Sequence, residues 1–245
     1  MQARLDPSQH HKTKNARGYM HPVTQIGREF AFFSKTAAPT IDMGCAYGNT
    51  VIAALDAGAT SIIACDMEIQ HLDALAEQLS ETEKQRVIFK QGTLPQGFDF
   101  SSDSIAGIHA SLILPYLNEQ ELDESLGKFY QWLKPGGKLF ILCYSIYIRE
   151  LVNTVFETEY GKRLENGRKW PGYLEDFSKY SSDEFDPSAF PMTLHFFDRS
   201  VIAPTLEKIG FTIESAEYLD GRANGAVEDT WHDGREFVGI VAMKP

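Results

Sequence analysis

The chain has 245 residues, of which 43% are hydrophobic and 23% charged, the composition of a globular protein with room for one large core. Its net charge of -11 opposes general attraction to phosphate backbones and anionic membranes, so duplex nucleic acid is not an expected partner. No apolar run approaches membrane-spanning length, and the first residues lack the apolar core of a signal peptide. A cytoplasmic location is expected, and export without a cleaved signal would leave the same features.

The three cysteines are Cys45, Cys65 and Cys143. Their number is odd, no two of them form a Cys-x-x-Cys pair, and each lies in or beside an apolar run. This pattern predicts reduced, buried thiols, with neither disulfides nor a zinc site. We therefore expect no metal centre.

From residue 38 to residue 144, short apolar runs alternate with helical patterns. The runs "TIDM", "SIIACD", "RVIFK", "SIAGIHAS" and "KLFILCY" are typical of buried strands. Apolar residues recur at three- and four-residue steps between them, at Ile69, Leu72, Leu75 and Leu79 and again at Leu122, Leu126, Phe129 and Leu133. Asn118, followed three residues later by Glu121, predicts a capping box at the start of the second helix. The alternation predicts an α/β fold with a doubly wound, mostly parallel sheet.

The remaining segments flank this core, and we treat the whole chain as one domain. Residues 1–37 form a basic N-terminal cap segment, and residues 38–144 form the core. Residues 145–192 are an aromatic-rich insert, predicted to begin as a helix at "IYIRELVNTVFETEYG". Residues 193–245 then supply a closing helix and two closing strands.

A turn of small residues follows the first predicted strand. Gly44, Ala46 and Gly48 stand at every second position after Asp42, which ends the apolar run. Small residues between a strand and a helix let a ligand lie against the backbone and the open N–H groups of the helix. A dinucleotide fingerprint would have a glycine where this chain has Asn49, so a nicotinamide-dependent oxidoreductase is a weaker alternative. Asp66 ends the second strand, where a carboxylate can accept hydrogen bonds from ribose hydroxyls.

With the "QGTLPQGFDFSSDSIAGIHASLILPYL" and "LKPGGKLFILCY" segments that follow, the sequence resembles the class I S-adenosylmethionine-dependent methyltransferases, over residues 39–143 and by pattern over 200–244. The resemblance implies seven strands in the order 3-2-1-4-5-7-6, one of them antiparallel, with an insert after strand 5. It also implies S-adenosylmethionine as the cofactor. The implied cofactor-binding residues are Asp42, Gly44, Cys45, Ala46, Gly48, Asp66, Met67, Gly92, Thr93, Ala110 and Ser111. To these we add Tyr19, which we expect to close over the cofactor.

Within this resemblance, Asp42 and the backbone of Ala110 and Ser111 would meet the ammonium group of the cofactor. Asp66 would hold the ribose, and Met67 would lie against the adenine. The sequence departs from the family pattern at Ala46, which replaces a glycine, and at Thr93, Ala106, Pro115 and Tyr116. The departure at Thr93 removes an aspartate that many members place near the adenine.

The predicted function is methyl transfer to a small organic acceptor, at oxygen, nitrogen or carbon, catalysed mainly by positioning the reactants. A general base is needed only if the acceptor must lose a proton. The candidates are His21, His109 and His195, with Tyr19, Tyr116 and Tyr144 as hydroxyl partners, although a lone histidine is more often structural. A non-catalytic module that binds the cofactor or a protein partner on the same fold is the alternative from another class.

Overall fold

A seven-stranded sheet forms the centre of the computed structural model, which describes residues 4–6, 11–13, 19–152, 154–180, 193–226 and 228–245. The strands, numbered in chain order, are β1 (Thr40–Met43), β2 (Ile62–Asp66), β3 (Val87–Gln91), β4 (Ile105–Ser111), β5 (Leu133–Tyr144), β6 (Thr212–Leu219) and β7 (Phe237–Met243). Their order across the sheet is 3-2-1-4-5-7-6, and β7 runs antiparallel to both of its neighbours. The predicted fold class and strand order are confirmed.

Strand order reverses between β1 and β4, which pair in parallel in the middle of the sheet. From β1 the chain moves outward to β2 and β3 and then returns to the other side of β1. In open sheets of this kind the carboxyl ends of the strands leave a crevice at the point of reversal, where ligands bind. The register there sets Asp42 of β1 beside His109 of β4.

Seven helices cover the two faces of the sheet in the described part of the chain. They are α1 (Gln25–Ser34), α2 (Asn49–Ala57), α3 (Ile69–Gln78), α4 (Glu81–Lys84), α5 (Glu119–Trp132), α6 (Val155–Glu165) and α7 (Arg199–Ile209). Apolar side chains of α1, α2 and α3 share one buried cluster, and those of α5 and α7 share another. Alternate strand residues enter opposite clusters, as Ile62 and Ile63 do, because successive side chains of a strand point to opposite faces.

The predicted capping box begins α5. The Asn118 side chain accepts a hydrogen bond from the Glu121 N–H at 2.9 Å, and the Glu121 carboxylate accepts one from the Asn118 N–H at 2.9 Å. Two backbone donors at the helix start are thus satisfied. This fixes where the chain turns back toward the sheet after β4.

The insert begins differently from the expectation. Its helix, α6, starts at Val155, capped by Thr154, rather than near Ile146. The Ser145 hydroxyl donates to the Arg235 carbonyl and accepts from the Tyr147 N–H, which holds this stretch against the end of the sheet. Four insert aromatics are buried, namely Phe156, Tyr160, Trp170 and Phe177. The second half of the insert, 181–192, lies outside the described residues.

Two short antiparallel pairs complete the described structure, His11–Lys12 with Tyr19–Met20 and Tyr173–Leu174 with Leu194–His195. All three cysteines are buried, and their thiols are free. In the described residues no helix has the length and apolar character needed to cross a membrane.

Candidate functional site

A cavity of about 750 Å³ opens at the carboxyl ends of β1, β2 and β4, where the strand order reverses. This volume lies within the usual range of small-molecule sites, roughly 300–1,000 Å³. Nine of the twelve predicted cofactor residues line it, namely Asp42, Gly44, Cys45, Ala46, Asp66, Met67, Gly92, Thr93 and Ser111. Gly48 and Ala110 are outside the lining, and only the backbone of Tyr19 is described.

The turn after β1 exposes backbone because three of its residues adopt positive φ. The angles are +75° at Gly44, +45° at Ala46 and +83° at Gly48. A Cβ on Gly44 would collide with the Ile113 side chain on the opposite wall of the cavity. Gly48 serves the fold instead, since it is the left-handed N-cap of α2 and a Cβ there would meet Leu75.

Asp66, at the end of β2, accepts three hydrogen bonds from its surroundings. Its Oδ2 accepts from the Ala46 N–H at 2.9 Å, and its Oδ1 accepts from the Glu68 N–H at 2.9 Å and from His71 Nδ1 at 3.0 Å. A carboxylate offers about four acceptor positions. Asp66 therefore ties the small-residue turn to β2 and has room on Oδ2 for one further donor from the cavity.

Asp42, at the end of β1, has a single hydrogen-bond partner among the described residues. His109 Nδ1 donates to Asp42 Oδ1 at 2.7 Å, and both side chains are buried. The imidazole of His109 stacks on Phe30 of α1, with ring centroids 5.1 Å apart. Both residues line the cavity. His109 thus holds one oxygen of Asp42, and the second oxygen has no hydrogen-bond partner among the described residues.

The far end of the cavity is closed by the segment that follows β3. The Gly92 N–H donates to the Asp66 carbonyl at 3.0 Å, and a Cβ on Gly92 would lie 2.5 Å from the Gly97 carbonyl oxygen. Leu94 and Phe98 from this turn add apolar wall opposite Met67. Met67 is 42% exposed, so one side of its chain is available to a ligand.

The N-terminal segment passes over the cavity and is anchored at three points. His21 Nδ1 donates to the Gly225 carbonyl at 2.7 Å, and the Asn49 amide donates to the His21 carbonyl at 3.0 Å. The Gln25 N–H donates to the Asn224 side chain at 2.7 Å. Five described residues of this segment line the cavity, and we call four of them, Met20, His21, Pro22 and Thr24, the roof; the fifth is Thr13.

His21, one of the three candidate bases, lines the cavity. Because its Nδ1 donates to a carbonyl, the lone pair of the neutral ring is on Nε2. The Tyr144 hydroxyl lies 3.5 Å from that atom. Burial raises the pKa of Tyr144, so its hydroxyl stays protonated. Tyr116 lines the same cavity and is 41% exposed.

The other predicted histidine, His195, lies outside the cavity lining. It stacks on Phe197 with ring centroids 4.6 Å apart and meets Trp170 edge-on at 5.2 Å. Burial lowers the pKa of His195 to about 3. The structure therefore places a neutral, weakly basic ring in the core beneath the insert.

The Cys45 thiol lines the cavity and stays protonated. Burial first, and then the charges of Asp42 and Asp66, raise the pKa of the Cys45 thiol well above its usual value, so it is not a thiolate. In the described part of the chain, no group of three or more His, Cys, Asp or Glu side chains could hold a metal ion.

Residues 41–137 match a family model described as a methyltransferase domain. Among solved structures, an S-adenosylmethionine dependent methyltransferase from Mesorhizobium loti is similar with a TM-score of 0.61 and 15% identity, over 88% of this chain and 95% of that one. The glycopeptide N-methyltransferase MtfA, complexed with sinefungin, has a TM-score of 0.59 and 15% identity, over 91% and 87%. No curated protein matches the sequence significantly.

A third similar structure contains two bound small molecules. It is the 1,6-didemethyltoxoflavin-N1-methyltransferase of Burkholderia thailandensis with bound 1,6-didemethyltoxoflavin and S-adenosylhomocysteine. Its TM-score is 0.57 at 15% identity, over 89% of this chain and 78% of that one.

The strand order, the small-residue turn and the two strand-end carboxylates define a domain of the class I methyltransferase fold. The family match over 41–137 assigns the same class from the sequence. The resemblance to the class I S-adenosylmethionine-dependent methyltransferases is confirmed by the shared fold and by the methyltransferase-domain match over residues 41–137.

Proposed function

We propose that the protein transfers a methyl group from S-adenosylmethionine to a small organic acceptor, at oxygen, nitrogen or carbon, inside the 750 Å³ cavity. One observation carries the proposal: both strand-end carboxylates and the bare turn meet in a single cavity at the point where strand order reverses. A volume of about 750 Å³ has room for a nucleoside and a second small molecule.

The residues fit such a cofactor by charge and shape. Asp42 offers a carboxylate oxygen to an ammonium group, and Asp66 offers one to a ribose hydroxyl. Gly44 lets the cofactor lie against the backbone, and Met67 gives an apolar surface to a planar base. When bound, S-adenosylmethionine supplies an electrophilic methyl group on a sulfonium.

The task left to the protein is to bring an acceptor atom into line with that methyl group and to keep water out. Leu112, Ile113 and Met20 give the cavity apolar walls. His21 supplies a proton acceptor at Nε2 for an acceptor that must lose a proton. These roles describe catalysis by positioning, with one base available at the roof.

Calorimetric titration of the full chain with S-adenosylmethionine, S-adenosylhomocysteine and reduced nicotinamide dinucleotide tests the cofactor. We expect the first two to bind at micromolar concentration and the third not to bind. Binding of the nicotinamide dinucleotide alone would support the oxidoreductase alternative. Cofactor binding without methyl transfer to any member of a broad acceptor panel would instead support a non-catalytic module.

The acceptor is first identified by following the labelled methyl group of S-adenosylmethionine into a product. The role of His21 is then tested with the substitution His21→Ala. We expect kcat at neutral pH to fall by about 10²- to 10⁴-fold, the usual contribution of a positioned general base. The affinity for S-adenosylhomocysteine should stay unchanged, because His21 is not among the residues proposed to bind the cofactor. Tyr144→Phe is the matched control, since it removes the neighbouring hydroxyl and leaves the ring in place. An unchanged kcat in His21→Ala would show that positioning alone suffices.

A further inference from the structure

Each of the two cavity carboxylates accepts a hydrogen bond from one buried histidine. His109 Nδ1 donates to Asp42 Oδ1 at 2.7 Å, and His71 Nδ1 donates to Asp66 Oδ1 at 3.0 Å. The histidines are 2% and 3% exposed. Both line the cavity, and the Nε2 atom of each has no hydrogen-bond partner in the described structure.

The two pairs differ in how much else holds the carboxylate. Asp66 also accepts from the N–H groups of Ala46 and Glu68, so it keeps its orientation without help from His71. Asp42 accepts only from His109 among the described residues, so no second hydrogen bond fixes the plane of its carboxylate. The orientation of Asp42 therefore depends on His109.

The surroundings of His109 fix the ring that does the holding. It stacks on Phe30 with an interplanar angle of 20°, and Phe30 in turn meets Phe140 of β5 edge-on. Parallel pairing of β1 and β4 sets Asp42 and His109 side by side. The ring cannot turn away without disturbing α1, so the hydrogen bond is pre-formed before any ligand arrives.

A purely structural role explains His109 poorly. Its Nε2 is buried without a partner, and a buried unpartnered polar atom costs stability that an apolar side chain would avoid. Asp42 is itself a carboxylate that is only 3% exposed. The buried pair thus stabilises the fold less than apolar side chains would. A ligand that binds Asp42 explains why the pair is present.

We propose that His109 is a positioning residue, which orients Asp42 so that its free oxygen accepts the ammonium group at the amino-acid end of the methyl donor. The proposal rests on the proposed function. His109 acts through Asp42 and touches only this end of the donor site. His71 sits behind Asp66 at the nucleoside end and provides the matched comparison.

Two ligands separate the two ends of the site. S-adenosylhomocysteine carries both the nucleoside and the amino-acid end, and 5′-methylthioadenosine carries only the nucleoside. His109→Phe keeps a ring to stack on Phe30 but removes the donor to Asp42. We expect it to weaken S-adenosylhomocysteine by about 10- to 100-fold, as for loss of a hydrogen bond to a charged group, with methylthioadenosine affected less than about twofold.

Two further variants keep the test decisive if His109→Phe folds poorly. His109→Asn has a side-chain amide that can donate to Asp42, so it should recover most of the affinity for S-adenosylhomocysteine. Asp42→Asn, with His109 intact, should show the same selective loss. Combining Asp42→Asn with His109→Phe should cause no further loss, because His109 acts only through Asp42. His71→Phe, in contrast, should change the affinity for either ligand by less than about twofold, because the N–H groups of Ala46 and Glu68 still orient Asp66.

The measurements are calorimetric affinities of the full-length variants, with circular dichroism and thermal unfolding as folding controls. Equal weakening of both ligands by His109→Phe, or additive losses in the double variant, would overturn the proposal. So would a folded His109→Phe that binds both ligands as the wild type does. If the wild-type protein bound neither ligand, the proposed function itself would fail, which is a distinct outcome visible before any variant is made.

Discussion

Two residues other than glycine adopt a positive φ at the cavity. Ala46 has φ of +45° and Leu112 has φ of +55°. For an L-residue this region costs about 1–2 kcal/mol because the Cβ crowds the backbone. Both residues line the cavity, one on the turn after β1 and one at the end of β4. Backbone strain concentrates where the chain must curve around a ligand, as is usual at functional sites.

The contribution of Gly44 can be measured with three Gly→Ala substitutions. Gly127 is in α5 with open space around it, so alanine should stabilise the fold by about 1 kcal/mol. Gly136 has φ of +76° and open space, so alanine should cost about 1–2 kcal/mol from strain alone. Gly44 has nearly the same φ and faces Ile113, so alanine should cost more than at Gly136.

The three variants are compared by urea unfolding and by affinity for S-adenosylhomocysteine. Only Gly44→Ala should lower the affinity, since its new methyl group and the displaced Ile113 side chain enter the cavity. Equal losses of stability in Gly44→Ala and Gly136→Ala would show that the Ile113 side chain moves aside at little cost in free energy. Unchanged affinity would mean that the backbone of this turn is not part of the ligand surface.

At the scale of elements, local patterns predicted the strands, the two long helices beside them and the Asn118 capping box, because each depends on neighbours in sequence. Helix α1 went unpredicted, although Thr24 caps it and Ile26 and Phe30 show helical spacing. Its three phenylalanines spread around the helix and blurred the apolar face. The start of α6 was misplaced because Ser145 is held by a carbonyl 90 residues away.

Glu236 organises the connection between β6 and β7, which also anchors the roof through Asn224 and Gly225. Its buried carboxylate accepts from the N–H groups of Gly221 at 2.7 Å, His232 at 2.7 Å and Gly234 at 2.9 Å. Burial acts to raise the pKa of Glu236, but these donors outweigh it, and the pKa lies below its usual value. The ionised form is thus part of the folded connection.

Glu236→Gln should destabilise the protein by about 1–3 kcal/mol at neutral pH, since an amide NH₂ replaces an acceptor that faced N–H donors. Because the folded pKa is depressed, the stabilisation by Glu236 is present above the unfolded pKa of about 4.3 and is lost as pH falls through the lower, folded pKa. Urea unfolding near pH 7 and near pH 3 should show the gap between variant and wild type narrowing in acid. A gap that stays constant would place the effect in packing.

At the scale of the whole molecule, the sequence indicated which residues end the strands but not which residues form hydrogen bonds with them. The two carboxylates and the turn were accessible because the family motif orders them along the chain. The pairing of Asp42 with His109 needs the register of β1 against β4, which sequence spacing does not reveal. The roof contacts to Asn224 and Gly225 join the two ends of the chain and were equally hidden.

A ligand that binds only the folded state raises the unfolding temperature of the entire domain. S-adenosylhomocysteine at 100 times its Kd should add about 2.7 kcal/mol. For a chain of this size that corresponds to a rise in Tm of about 5–10 °C. Differential scanning fluorimetry measures it directly, with reduced nicotinamide dinucleotide as the control that should give no shift. A similar shift with both ligands would contradict the proposed cofactor.

The separation of the paired residues along the chain also sets the order in which the pocket can assemble. Ala46 and Asp66 are 20 residues apart, so the Asp66 side of the cavity forms as soon as one βαβ unit closes. Asp42 and His109 are 67 residues apart, and their contact waits until β4 has returned to the centre of the sheet. A nascent chain that has emerged only as far as β3 carries both carboxylates but lacks the contact between Asp42 and His109. The complete cavity therefore requires that the two halves of the sheet have joined.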